Sequence, residues 1–144
     1  MGARIIKNNQ EYKQTDADFE LYSDFDNMFL PNPFTKQLGR KTNESSVSQS
    51  LRNLLLTNKY ERRRNPDFGS TISRYLFEPF SPTVLDEVEA RVRSAITNNE
   101  PRVRILDLEV TTDSQEQTLI IDLRFATVSA PKPERLRVTL NRVR

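Results

Sequence analysis

Two short charged stretches hold the residue types with which this chain could do chemistry. One is the turn from Asn58 to Gly69, with Glu61-Arg62-Arg63-Arg64 near its start. The other is Glu100-Pro101-Arg102. A carboxylate beside a guanidinium forms charge-assisted, often bidentate hydrogen bonds, with each other or with a partner. Proline stiffens the backbone, so Glu100 and Arg102 project from a fixed corner. Two readings of the corner stand open: an internal ion pair bracing a helix end to a strand start, or a pair presented to another protein. The residues by themselves favour the internal pair. For the arginine-rich turn the alternatives are a phosphate-binding loop, a solvated turn, or internal pairs with Glu61 and Asp67. It has neither interleaved aromatics nor a glycine-rich nest, so the nucleic-acid signal is weak.

Catalysis has few residues to draw on. The chain has no histidine and no cysteine. That removes the usual general base, the usual catalytic triads, thiol nucleophiles, disulfides and Cys-type zinc sites. Glu61, Asp67, Glu78 and Glu100 could in principle supply the carboxylate pair of a glycoside hydrolase, which needs no histidine. Their spacing gives no sign of convergence, and acids beside arginines stay ionised, which disfavours a proton donor. Gly2, Gly39 and Gly69 are the only glycines and form no phosphate-cradling loop. No catalytic, metal-binding or cofactor-binding residue is therefore assigned, and no cofactor is expected.

The 144 residues suit one domain plus a tail. Apolar residues make up 35%, below the roughly 45–50% usual in globular domains, so part of the chain is expected not to bury itself. Lys and Arg number 22 against 20 Asp and Glu, too even a balance for a strong phosphate-binding field. There is no apolar run long enough to span a membrane and no apolar signal-peptide core near the N-terminus. Neither nucleic acid nor membrane is expected as a partner.

The elements that must position the two charged stretches follow from periodicity. Residues 1–42 read as an extended arm. Phe19, Leu21, Tyr22, Phe25, Met28, Phe29, Leu30 and Phe34 stand singly among polar residues, and Pro31 and Pro33 forbid a continuous helix. Such isolated aromatics fill pockets on a neighbour or fold back on their own domain. Residues 43–144 read as one α+β domain, with helices on a three-stranded antiparallel meander. Asn43 is the expected N-cap of a helix from about Glu44 to Thr57, with Val47, Leu51, Leu54 and Leu55 on one face. Ser70 is expected to cap a short helix carrying Ile72, Tyr75 and Leu76. Ser81-Pro82 starts a second long helix, with Leu85, Val88, Val92, Ala95 and Ile96 as its stripe. Its acids precede its arginines, as the helix dipole favours. Strands follow around Val103–Val110, with a bulge at Leu106-Asp107, then Leu119–Phe125, then Leu136–Leu140. The turn between the first two strands is placed at Thr112–Gln115, and a longer connection at Val128–Pro133. Three strands leave two open edges, and an edge is a template for another strand.

The order of these motifs resembles a known family. Ser50-Leu51-Arg52-Asn53-Leu54-Leu55-Leu56-Thr57 leads to Glu61-Arg62, then to Asn65-Pro66-Asp67-Phe68-Gly69-Ser70. Leu76-Phe77-Glu78, a helix and Glu100-Pro101-Arg102 come next, and a strand meander ends the chain. The pattern is similar to the baseplate wedge family of contractile-tailed bacteriophages, typified by the T-even gene 25 product. That family also includes the small baseplate subunit of type VI secretion systems. Leu21-Tyr22-Ser23-Asp24-Phe25-Asp26 and Asn141-Arg142-Val143 resemble the T-even protein in particular. The family often has glycine before the Glu-Arg pair. Tyr60 stands there in this chain, which leaves the geometry of that turn open.

The resemblance implies a structural virion protein of the tail baseplate, assembled in the host cytoplasm. It implies that Glu100, Pro101 and Arg102, with Glu61 and Arg62, contact the helical core bundle of the wedge. It also implies that the sheet, through Leu136, Arg137, Val138, Thr139 and Leu140, meets the first ring of the tail sheath protein. Other inner-baseplate, tube-proximal proteins are the remaining implied partners. Because some members of the family carry a lysozyme label, a peptidoglycan-cleaving activity is the rival expectation.

Overall fold

The computed structural model describes residues 21–113, 118–128 and 132–142. Its elements are β1 (Ser23–Phe25), β2 (Arg40–Thr42), α1 (Asn43–Leu56), a 3-10 helix (Ile72–Phe77), α2 (Pro82–Asn99), β3 (Val103–Asp113), β4 (Thr118–Thr127) and β5 (Glu134–Asn141). The class is α+β, as the periodicities require. β3, β4 and β5 form an antiparallel sheet in that order. The register slips between Ile105 and Asp107, at the expected bulge. The turn between β3 and β4 lies further along than its sequence signal: Thr112 and Asp113 still pair with Leu119 and Thr118, and residues 114–117 lie outside the described residues. Part of the expected Val128–Pro133 connection, residues 129–131, lies outside them too.

One core joins the layers. Val47, Leu51, Leu54 and Leu55 of α1 and Val88, Val92 and Ile96 of α2 are almost completely buried against Leu119, Ile121, Leu123 and Phe125 of β4. Period 3.6 on the helices and period 2 on the strand thus deliver their apolar faces to the same place. The opposite face of the sheet is charged. Asp122 takes both Arg137 Nε and Nη2, at 3.1 and 2.9 Å from its oxygens, and also Arg135 at 3.1 Å.

Some local expectations need correcting. The N-cap of α1 is Thr42, not Asn43; Asn43 is the first helical residue, with φ 49°. Its side-chain oxygen instead accepts from Leu21 N at 3.0 Å. Ser70 does not cap the short helix, whose N-cap is Thr71. Its hydroxyl is buried and donates to the Leu55 carbonyl at 2.7 Å, closing the end of α1. In α2 neither end turn carries the matching charge. Glu87 pairs with Arg91 at 3.3 Å and Glu89 with Arg93 at 2.9 Å, so these charges serve one another four residues apart rather than the helix ends. Ser81 does cap α2, its hydroxyl accepting from Val84 N at 3.4 Å.

The described part of the arm, from Leu21 to Thr42, is not merely extended. β1 and β2 pair antiparallel, and the loop between them is held by Asp26 N–H donating to Gly39 O at 2.8 Å. This hairpin lies on a polar stripe of α1. Gln49 Nε2 donates to Phe25 O at 2.6 Å, and Asn27 Nδ2 donates to Asn53 Oδ1 at 2.7 Å.

Candidate partner-binding surfaces

The Glu100-Pro101-Arg102 corner sits where α2 hands over to β3. Glu100 ends the helix, its N–H bonded to Ile96 O at 2.8 Å, and Val103 N–H returns to Glu100 O at 3.2 Å. The Glu100 side chain is buried. Arg102 Nε and Nη2 hold its two oxygens at 2.5 and 2.8 Å, and Ser50 of α1 donates to Oε2 at 2.7 Å. Burial alone would raise the Glu100 pKa. The Arg102 and Ser50 hydrogen bonds outweigh it and hold the carboxyl below the usual range. Arg102 lies 5.0 Å from the Tyr22 ring, so the first described residues of the arm cover one side of the corner. The internal pair that the residues favoured is thus present. It spans α1, α2 and β3 and draws in the arm. Arg102 is still 35% exposed. Two of the five guanidinium N–H groups are spent on Glu100, and the rest are available to a further acceptor.

Glu61 and Arg62 lie in a separate, fully folded turn. Glu61 Oε2 accepts from Asn58 N–H at 2.8 Å, and Arg62 stacks 4.1 Å from the centre of the Phe68 ring. Tyr60 N–H donates to Pro66 O at 2.8 Å. Gly69 closes the turn at φ 121°, where an added Cβ would lie 2.6 Å from Thr57 O. Tyr60 has φ 69°. The chain therefore keeps the left-handed geometry that glycine would favour, with tyrosine in its place. Among the described residues no hydrogen bond or ion pair links this turn to the Glu100–Arg102 corner.

Leu136, Val138 and Leu140 of β5 point into the core, while Arg137 and Thr139 are exposed. Among the described residues, β5 pairs with β4 alone. The hairpin presents the other conspicuous surface: Phe25, Met28, Phe29, Leu30 and Phe34 are all more than half exposed. Tyr22, by contrast, packs against the core. Of the arm's large apolar residues, Tyr22 thus folds back on its own domain and the hairpin residues are exposed, while Phe19 lies outside the described residues.

Three features were not legible in the sequence. Ser50 reaches Glu100 across 50 residues, with no local signal. Tyr75 donates to Glu87 at 2.7 Å and ties the short helix to α2. Gln49 anchors the hairpin, although it reads as an ordinary polar position of α1. Among the described residues no group of three or more acidic side chains could hold a metal ion, and no helix is long and apolar enough to cross a membrane.

The described residues thus form a small helix-on-sheet module with a braced charged corner and a β5 strand paired on one side with β4. The chain belongs to the baseplate wedge protein gp25 family, whose model matches residues 41–132. It is 34% identical over 112 residues to the baseplate wedge protein gp25 of Enterobacteria phage T4, covering 78% of this chain and 84% of that protein. A Geobacter sulfurreducens structure provisionally described as a tail lysozyme has a TM-score of 0.67 at 27% identity, over 72% of this chain and 95% of that one. A chain of the anti-feeding prophage baseplate shares the fold at TM-score 0.60 and 21% identity, over 83% and 85%. A chain of the type VI secretion baseplate complex shares it at 0.57 and 16%, over 67% and 90%.

Proposed function

We propose that this protein is a non-enzymatic structural component of a contractile-tail baseplate wedge, assembled into the virion in the host cytoplasm. The observation that carries this reading is the family match over residues 41–132. In the proposed arrangement three surfaces work together. The exposed hairpin aromatics seat the arm on neighbouring inner-baseplate proteins. The Glu100-Pro101-Arg102 corner, with Glu61 and Arg62, engages the wedge core bundle. β5, through Leu136–Leu140, offers its edge to strands of the first sheath ring, where backbone hydrogen bonds give affinity and side chains give register. Repetition around a ring multiplies weak contacts.

The internal Glu100 pair supports the corner's role rather than competing with it. Buried Glu100 fixes the guanidinium plane, so Arg102 meets an acceptor without first losing rotamer freedom. Arg102→Lys keeps a charge beside Glu100 but loses the planar fork. The variant is expected to remain folded, by circular dichroism and thermal melting, and to enter reconstituted wedges less efficiently. Wild-type incorporation by the folded variant would remove the corner from the interface.

The rival lysozyme reading has only a structural neighbour's name behind it. Among the described residues Glu100 is the one buried acid, and its partners hold it ionised.

A further inference from the structure

The two edges of the main sheet differ. β3 carries the bulge at Ile105–Asp107 and leaves Leu106 47% exposed. A bulge bends and twists a strand and blunts its edge for pairing. β5 pairs with β4 without a register shift over eight positions, Glu134 to Asn141, and contains no proline. The regular edge is therefore that of β5, and it is guarded at one point. Arg52 of α1 reaches round to it and donates through Nη2 to the Arg137 carbonyl at 3.4 Å. The Arg137 carbonyl thus has a side-chain donor from α1, the helix packed beside β5.

The guard is charged, but what it guards is neutral. Arg135 and Arg137 already share Asp122. Arg52 has no ion pair among the described residues, only this long, exposed contact to a carbonyl. Beside it a groove of about 670 Å³ opens between Met28 of the hairpin, Gln49 and Arg52 of α1, and Glu134 and Leu136 of β5. Glu134 at the start of β5 repels an acid there. The favourable place for a carboxylate is thus next to Arg52, further along the strand.

We propose that Arg52 is a charge-selective gate on the β5 edge, admitting an extended partner strand that carries a carboxylate beside Arg137. The inference rests on the reading of β5 as a strand template and names the chemistry of the strand it takes. A strand with a neutral residue at that place displaces Arg52 from its carbonyl and returns nothing. A strand with Asp or Glu there exchanges a long hydrogen bond to an uncharged carbonyl for a shorter one between two opposite charges. The gate thus discourages indiscriminate edge pairing and rewards one register.

The test uses the full chain and two synthetic eight-residue peptides of Val and Thr, one with a central Glu and one with Gln in its place. Binding is measured by fluorescence anisotropy at low ionic strength and located by amide protection along β5. The Glu peptide is expected to bind about fivefold more tightly, the scale of an exposed ion pair. Arg52→Ala is expected to weaken Glu-peptide binding and strengthen Gln-peptide binding, bringing the two within about twofold of each other. Equal affinities in the unsubstituted protein, or an unchanged ratio in Arg52→Ala, would overturn the gate and leave strand addition standing. Absence of β5 protection by either peptide at millimolar concentration would overturn strand addition itself, and the gate with it.

Discussion

Tyr60 holds a backbone conformation that side chains with a Cβ avoid. At φ 69° it bears a cost of about 1–2 kcal/mol, and its ring, 78% exposed, recovers little by burial. Tyr60→Gly is therefore expected to stabilise the fold by about 1 kcal/mol, read as a higher urea midpoint at unchanged slope. A lower midpoint would mean that the ring braces the turn. At this scale the sequence is readable only where the cause is local. Tyr60 stood out because glycine often occupies that place in the family, but its dihedral could not be read. Asn43 and Ser70 have the right chemistry for caps, and tertiary partners claim both: Leu21 N–H for Asn43 and the Leu55 carbonyl for Ser70. Glu100 and Arg102 were legible as a pair because they lie two residues apart. Ser50 and Tyr22, which complete the corner, were not.

Elements longer than two turns or five strand residues were legible, because each repeats its own apolar period. The stripes of α1 and α2, the alternation of β4 and the β3 bulge all stand where the pattern places them. The β1–β2 hairpin escaped because three-residue strands have no period to read, and because a side chain of α1 holds it. Gln49 is 6% exposed, donating to Phe25 O and accepting from Asn27 N–H at 3.3 Å. Gln49→Ala removes these bonds and a longer one to Asp24 Oδ2 at 3.5 Å, taking a partner from the Phe25 carbonyl and the Asn27 N–H, a cost of about 1–3 kcal/mol. The loss is expected to fall on the hairpin: faster proteolysis and amide exchange within residues 21–42, with β4 protection unchanged. Uniform loss of protection would show instead that hairpin and core open together.

At the scale of the whole molecule, two carboxylates tie separate regions together by staying ionised. Glu100, despite a burial that alone would raise its pKa, is held low by Arg102 and Ser50. Asp122 is held low chiefly by the Arg137 hydrogen bonds. Both pKa values lie below those of the unfolded chain. Their contribution is complete above about pH 4–5, where unfolded carboxylates ionise, and is lost as pH falls through the folded values. Urea denaturation is expected to show stability level near neutrality and declining below about pH 4. Glu100→Gln should lose about 2 kcal/mol at pH 7 and show a shallower acid decline. An acid decline as steep as in the unsubstituted protein would place the titration elsewhere. The unequal edges of the sheet have a consequence for this molecule's valence. Under the proposed strand addition, a strand laid on β5 would find no matching outlet at bulged β3, so one copy would not hand the sheet on to the next. Such a molecule would begin a row of strands and stop self-polymerisation in the same act: a starting block with one live end, its direction of growth set by the bulge.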